Sequence, residues 1–158
     1  MRAFAEPDSI DDQLIAVLQE NPQIANRDLA ARIGIAASTC HARVRSLYER
    51  GIIRGQHLEL APGPLGRTTN ALVQVRTRTH TRPVVDQFRE HVLTLPEVVQ
   101  IFHVSGSHDF ILHVAVPSTE HLRDFLLDAV TNRPEVGRVE THLVFDHARR
   151  RVLERLAA

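Results

Sequence analysis

The stretch that most constrains this chain runs from Asn26 to Ile53, NRDLAARIGIAASTCHARVRSLYERGII, because it spells two short helices separated by a glycine turn. Leu29, Ala30 and Ile33 recur at the spacing of one helical face, with Asn26 at the expected N-cap and Gly34 at the end. A second helix is predicted from about Ala37 to Arg50, with Cys40, Val44 and Leu47 as its apolar stripe and Gly51 as its stop. Its other face carries Ser38, Thr39, His41, Ala42, Arg45 and Glu49. Two helices joined by a short turn containing glycine form a helix-turn-helix, here about residues 26–50, whose second helix can enter the major groove of DNA. A helical hairpin buried in a core shares this pattern, so the flanks and the arginines must decide.

Arg43, Arg45, Arg50 and Arg54 meet only Glu49 across this helix and its exit, a predicted local excess of three positive charges. Local sign outweighs the formal net charge of +0, because charges farther than a Debye length of about 8–10 Å are screened from phosphates. Ser38, Thr39, His41 and Arg45 are the base-edge candidates, and Ala42 on the same face belongs to the expected DNA-binding surface. Arg43 and Arg54 are expected to hold phosphate or an internal carboxylate.

Upstream, Asp8-Ser9 can cap a helix with Ile10, Leu14, Ile15, Val17 and Leu18 on its apolar face and Asp11 and Asp12 near the positive end of its dipole. Asn21-Pro22 stops it, and the three helices together can bury their apolar faces. Downstream, Ile52–Gly55 and His57–Leu60 alternate weakly, as a short strand pair or wing would. Ala61-Pro62-Gly63-Pro64-Leu65-Gly66 then punctuates the chain. The predicted organisation is a DNA-binding domain over 1–60, a hinge over 61–69 and a second domain over 70–158.

In that second domain Asn70–Arg76 is predicted as a strand, Arg82–Leu95 as a helix, Val98–Ser105 and Asp109–Val116 as a hairpin, Thr119–Asn132 as a helix and Gly137–Phe145 as a last strand. Strand, helix, strand, strand, helix, strand is the ferredoxin-like βαββαβ arrangement, so the fold class is α+β. One sheet face stays uncovered, bearing residues such as Leu72, Phe102 or Val104 according to register, and a second copy of the chain would bury it.

The 158 residues, 43% hydrophobic and 24% charged, are ordinary for a soluble protein. No apolar run approaches the roughly 20 residues of a membrane span, and MRAFAEPDSIDD lacks the apolar core of a signal peptide, so a cytoplasmic location without membrane contact is expected. Cys40 has no second cysteine to pair with and reads as a buried thiol. Gly-rich phosphate loops, nucleophile motifs and supported carboxylate pairs are missing, which argues against an enzyme.

Asp11-Asp12 with Leu14-Ile15, Leu29-Ala30 before Ile33-Gly34-Ile35, Arg43-Val44 then Leu47 leading into Gly51-Ile52-Ile53, Gly106-Ser107-His108-Asp109, and Thr141–Phe145 occur in one order over nearly the whole chain. In that order they resemble the Lrp/AsnC, or feast/famine, transcriptional regulators of bacteria and archaea. The resemblance implies a winged helix-turn-helix joined to a RAM/ACT-like ferredoxin domain, acting in the cytoplasm on the nucleoid. It further implies double-stranded DNA as partner, a homodimer that joins into octamers, and an effector, usually an amino acid or related metabolite, bound between paired subunits; no cofactor is implied. Two positions depart from the pattern: Ala36 stands where a serine commonly caps the recognition helix, and His108 where an aromatic often precedes the hairpin aspartate.

An amino acid presents an ammonium and a carboxylate, so its site needs an acceptor and converging donors. Asp109 can accept from the ammonium, backbone N–H groups around Gly106 and Ser107 can meet the carboxylate, and Val104, His108 and Thr141 are the expected neighbours. Asp109 can equally bond backbone, as aspartate in turns often does; the resemblance favours the pocket. His103, His108 and His113 crowd the hairpin, but without ligand spacing they are expected to be solvated or core residues rather than metal ligands. Two other readings are a DNA-compacting protein of low sequence specificity and an amino-acid-sensing module of an enzyme.

Overall fold

The computed structural model describes residues 6–150 and 152–156. They form two compact units: residues up to Glu59 together with the tail from Ala148, and residues 60–147.

In the first unit, α1 (Ser9–Glu20), α2 (Asn26–Ile33) and α3 (Ala37–Glu49) bury Leu14, Val17, Leu29, Ala30, Cys40 and Leu47 in one core. Asp8 caps α1, accepting from the N–H groups of Ile10 and Asp11 at 3.0 and 2.8 Å. Gly34 closes α2 at φ +80°, a left-handed conformation that glycine adopts without a Cβ penalty. Asn26 is not the cap predicted for it. Ala25 holds that position, and the Asn26 amide instead donates to the Ala37 carbonyl at 2.8 Å, tying the start of α2 to the start of α3. Ala36 is the N-cap of α3 and offers no side-chain acceptor, so neither Ser38 nor a shifted start replaces the missing serine. Burial raises the pKa of the Cys40 thiol.

Residues 52–60 form no strand pair, contrary to the sequence expectation. Ile52 and Ile53 both donate to the Leu47 carbonyl, so the chain after Gly51 folds back on α3 rather than extending into a ladder.

The second unit is β1 (Thr69–Thr77), α4 (Arg82–Leu93), β2 (Val98–His103), β3 (Phe110–Val116), α5 (Thr119–Phe125), which widens into a π-helical turn over Leu126–Thr131, and β4 (Val136–Val144). The sheet is antiparallel in the order β2-β3-β1-β4, the ferredoxin-like arrangement. Alternation along each strand sends Ala71, Val73, Val75, Phe110, Leu112 and Val114 into a core shared with Phe88 and Val92 of α4 and Leu122 and Phe125 of α5. On the opposite face Leu72 lies between His113 and His142, and Phe102 lies opposite Ile111. His103 and His113 therefore point to opposite faces: His103 stacks on Phe110 with ring centroids 5.0 Å apart, while His113 approaches the Asn70 side chain at 3.1 Å.

The sequence expectation extends the second domain to residue 158. The tail from Ala148 groups instead with the first unit, because Leu153 and Arg155 bond to α1.

Candidate nucleic-acid interface and ligand turn

What orients α3 is a carboxylate. Asp11, on the inner side of α1 and only 4% exposed, accepts from Arg43 on one oxygen and Arg50 on the other, both at 2.9 Å. Arg43 also donates to Asp8 at 2.8 Å. The N–H of Asp11, followed by the Arg43 guanidinium, holds the Asp8 carboxyl below its ordinary pKa. The guanidinium groups of Arg43 in α3 and Arg50 at its C-cap thus bracket the first turn of α1, and removing Asp11 would take away their shared counter-ion.

This clamp corrects the charge reading. The predicted excess of three positive charges does not exist in space, because Asp8 and Asp11, more than thirty residues away in sequence, neutralise Arg43 and Arg50. Of the two roles left open for Arg43, the geometry realises the internal carboxylate.

The opposite face of α3 is open: Ser38, Thr39, His41, Ala42 and Arg45 are all exposed. Arg45 bonds Glu49 one turn on at 2.8 Å, with the two side chains 74% and 61% exposed. An i,i+4 pair so wet contributes only about 0.3–0.5 kcal/mol, so a phosphate or a guanine edge can replace it. Arg54 is exposed beyond the end of α3. Arg27, in the first turn of α2, is exposed as well.

In the second unit the β2–β3 turn is built around Asp109. Its Oδ2 accepts from the Thr77 N–H at 2.7 Å and the Thr77 hydroxyl at 2.9 Å, and Oδ1 lies 2.8 Å from His80 Nδ1. Burial pushes its pKa up, but the Thr77 bonds and His80 outweigh this and leave it below the ordinary value. Asp109 thus bonds backbone, as the turn reading held, yet it does so on β1 rather than locally; a carboxylate has about four acceptor sites, so Oδ1 keeps capacity for a ligand.

Gly106, at φ +119°, makes the sharp bend. Val104 closes the turn by donating to the Asp109 carbonyl at 2.9 Å. Ser107 Oγ lies 3.0 Å from His108 Nδ1, and His108 Nε2 lies 3.5 Å from Glu140, which also takes Arg138 at 2.9 Å. Thr141 is the neighbour of Glu140 on β4; it pairs with Val73, whereas Glu140 pairs with Gln74, so alternation along the strand turns Thr141 to the other side of the sheet from Glu140. Among the described residues no three His, Cys, Asp or Glu side chains are grouped to hold a metal ion.

A winged helix-turn-helix DNA-binding family matches residues 7–54, and the Lrp/AsnC ligand-binding domain matches residues 70–153. The chain belongs to the Lrp/AsnC family of transcriptional regulators. The ligand-domain match runs into the tail that packs on the first unit, so sequence and spatial boundaries of the Lrp/AsnC domain differ by several residues. Among similar Lrp/AsnC-type proteins, the HTH-type transcriptional regulator AldR of Mycolicibacterium smegmatis is 37% identical over 90% of this chain and 83% of its own length. The leucine-responsive regulatory protein of Rhizobium meliloti is 33% identical over 87% and 88%. The solved structure of a Neisseria meningitidis transcriptional regulator in complex with L-Met superposes with a TM-score of 0.84 at 25% identity, covering 92% of this chain and 94% of that one. Escherichia coli AsnC, at 21% identity and a TM-score of 0.84 over 94% and 99%, shares the fold. As a family member the chain is a DNA-binding regulator with a ligand-binding domain. No helix among its described residues is long and apolar enough to cross a membrane.

Proposed function

We propose that the chain is a cytoplasmic, nucleoid-associated repressor or activator that reads operator DNA with Ser38, Thr39, His41, Ala42 and Arg45, and whose assembly or affinity shifts when an amino acid binds near the 104–109 turn. The observation that carries the DNA reading is the two-sidedness of α3: one side is bolted to α1 through Asp11, and the other presents hydrogen-bonding groups to solvent. Arg54, and Arg27 with it, serves phosphate. Arg43 is left out, since withdrawing it would uncover Asp11.

The open sheet face supports a homodimer. Leu72 and Phe102 are 37% and 43% exposed there, and a second copy is the natural cover. A twofold dimer presents two recognition helices, so its operator is a pseudo-palindrome with half-sites separated by whole helical turns. Dimers then join into octamers.

For the effector, the N–H groups around Gly106 and Ser107 take the carboxylate and Asp109 Oδ1 takes the ammonium, with His108 near the side chain and Val104 at the base of the turn. Thr141, the neighbour of Glu140 on β4, remains in the candidate set. The L-Met carried by the Neisseria relative is consistent with an amino acid of this kind. The role is binding rather than catalysis. Thermal-shift screening of the twenty amino acids tests it: one or a few should raise the melting temperature of wild type and lose that effect in Asp109→Ala, and a flat response to all twenty contradicts the effector reading.

A further inference from the structure

We propose that the C-terminal tail is a basic arm, docked along α1, whose Arg149 and Arg150 add backbone phosphate contacts beside those of the helix-turn-helix. The proposal rests on the chain's DNA binding and goes beyond it by assigning a second, non-helical contact element.

Electrostatics supply the first observation. Residues 1–59 hold seven arginines against eight Asp and Glu side chains, a poor balance for a polyanion-binding unit. Of the seven, Arg43 and Arg50 are engaged with Asp8 and Asp11, and Arg32 pairs with Glu20, which leaves fewer for phosphate. Residues 148–158 hold four arginines against Glu154 alone. The tail therefore turns a slightly acidic unit into a basic one.

Docking supplies the second. The Gln19 side-chain amide pairs with the Leu153 backbone in both directions: Leu153 N–H donates to Oε1 at 2.8 Å, and Nε2 donates to the Leu153 carbonyl at 3.1 Å. Two residues on, Arg155 bonds Asp12 at 2.7 Å and the Pro7 carbonyl at 2.8 Å. Gln19 lies in the last turn of α1 and Asp12 in the first, so the tail runs antiparallel to the helix. Arg149 and Arg150, both exposed, thus enter past the C-terminal end of α1. At that end Gln19 and Pro22 share a groove with Ile52, Ile53 and Arg54, the segment that follows the recognition helix. The Leu153 backbone and the Arg155 side chain fix the tail on α1 and leave Arg149 and Arg150 exposed, as a phosphate-contacting arm requires.

The test is binding of the full chain to a random-sequence 30-base-pair duplex, followed by fluorescence anisotropy from about 50 to 200 mM NaCl. Each phosphate contact adds about 0.9 to the slope of log affinity against log salt, so Arg149→Gln/Arg150→Gln should lower that slope by about 1.8. Across this range the affinity advantage of wild type should shrink about 12-fold. Gln19→Ala, which changes no charge, should weaken binding in the same direction and remove hydrogen-exchange protection from the Leu153 amide. An unchanged slope in the double variant, with wild type still binding, overturns the arm alone. A loss in the double variant with none in Gln19→Ala, or an unprotected Leu153 amide in wild type, overturns the docking that the arm depends on. A wild-type chain that binds no duplex overturns both the arm and the DNA reading beneath it.

Discussion

In the second unit Phe88, Phe110, Val73, Val75 and Val92 are fully buried, and helix and sheet meet across a continuous apolar layer. In the first unit α3 fully buries only Cys40 and Leu47, and its orientation is set by two arginines on one carboxylate. The difference follows from what each must leave exposed. A sheet can devote a whole face to its core and still keep the other for a partner. A short helix that presents its outer face to DNA has little apolar stripe left, and directional ion pairs supply the angle that a narrow stripe cannot.

Substitutions on each side sharpen this contrast. Phe88→Ala should have the largest effect, costing about 3–5 kcal/mol in urea unfolding by lost burial and cavity formation. A loss under about 1 kcal/mol would mean that the apolar layer is not the main support. Asp11→Ala should cost about 3 kcal/mol, at the lower end for a buried pair because both arginines still reach water. If it proves as mild as a surface charge deletion, the clamp is incidental and α3 is placed by packing alone.

Asp109→Ala should cost about 1–3 kcal/mol through the unpaired Thr77 donors. The folded pKa of Asp109 lies below its ordinary value of 3.8, so its contribution is complete above that pH and is lost as pH falls through the folded value. Asp109→Asn should therefore flatten the acid limb of the stability profile below about pH 4, and an identical limb in both proteins would contradict the assigned environment. Smallest is a gain: Ala36 has extended backbone at φ −66°, ψ 144°, suited to a capping hydroxyl, so Ala36→Ser should add about 1 kcal/mol to thermal stability.

The same contrast explains what could be read in advance. Leu14, Leu29, Cys40 and Leu47 on the helices, and Ala71, Val73 and Val75 on β1, announce themselves by period, because burial on one face leaves a local trace in sequence. Asp11 does not. Near a helix N-terminus it looks like a dipole partner, and its arginines lie 32 and 39 residues away, where periodicity says nothing. Asn26 illustrates the same limit, since a cap and a cross-turn donor use one residue type at one position. The tail is a further case: nothing in VLERL shows that Leu153 will meet Gln19. Along the ligand turn, Gly106 and Asp109 are legible as turn residues, whereas the Thr77 and His80 partners and the pairing of Thr141 with Val73 come only with the folded chain.

The measurement closest to the centre of the account is Arg45→Ala, assayed against a duplex carrying the selected operator and against random duplex at one salt concentration. Operator affinity should fall by about 1–3 kcal/mol more than random-duplex affinity, with unfolding stability within about 0.5 kcal/mol of wild type. Equal losses on the two duplexes, or no loss on either, would contradict the exposed face of α3 as the surface that reads sequence.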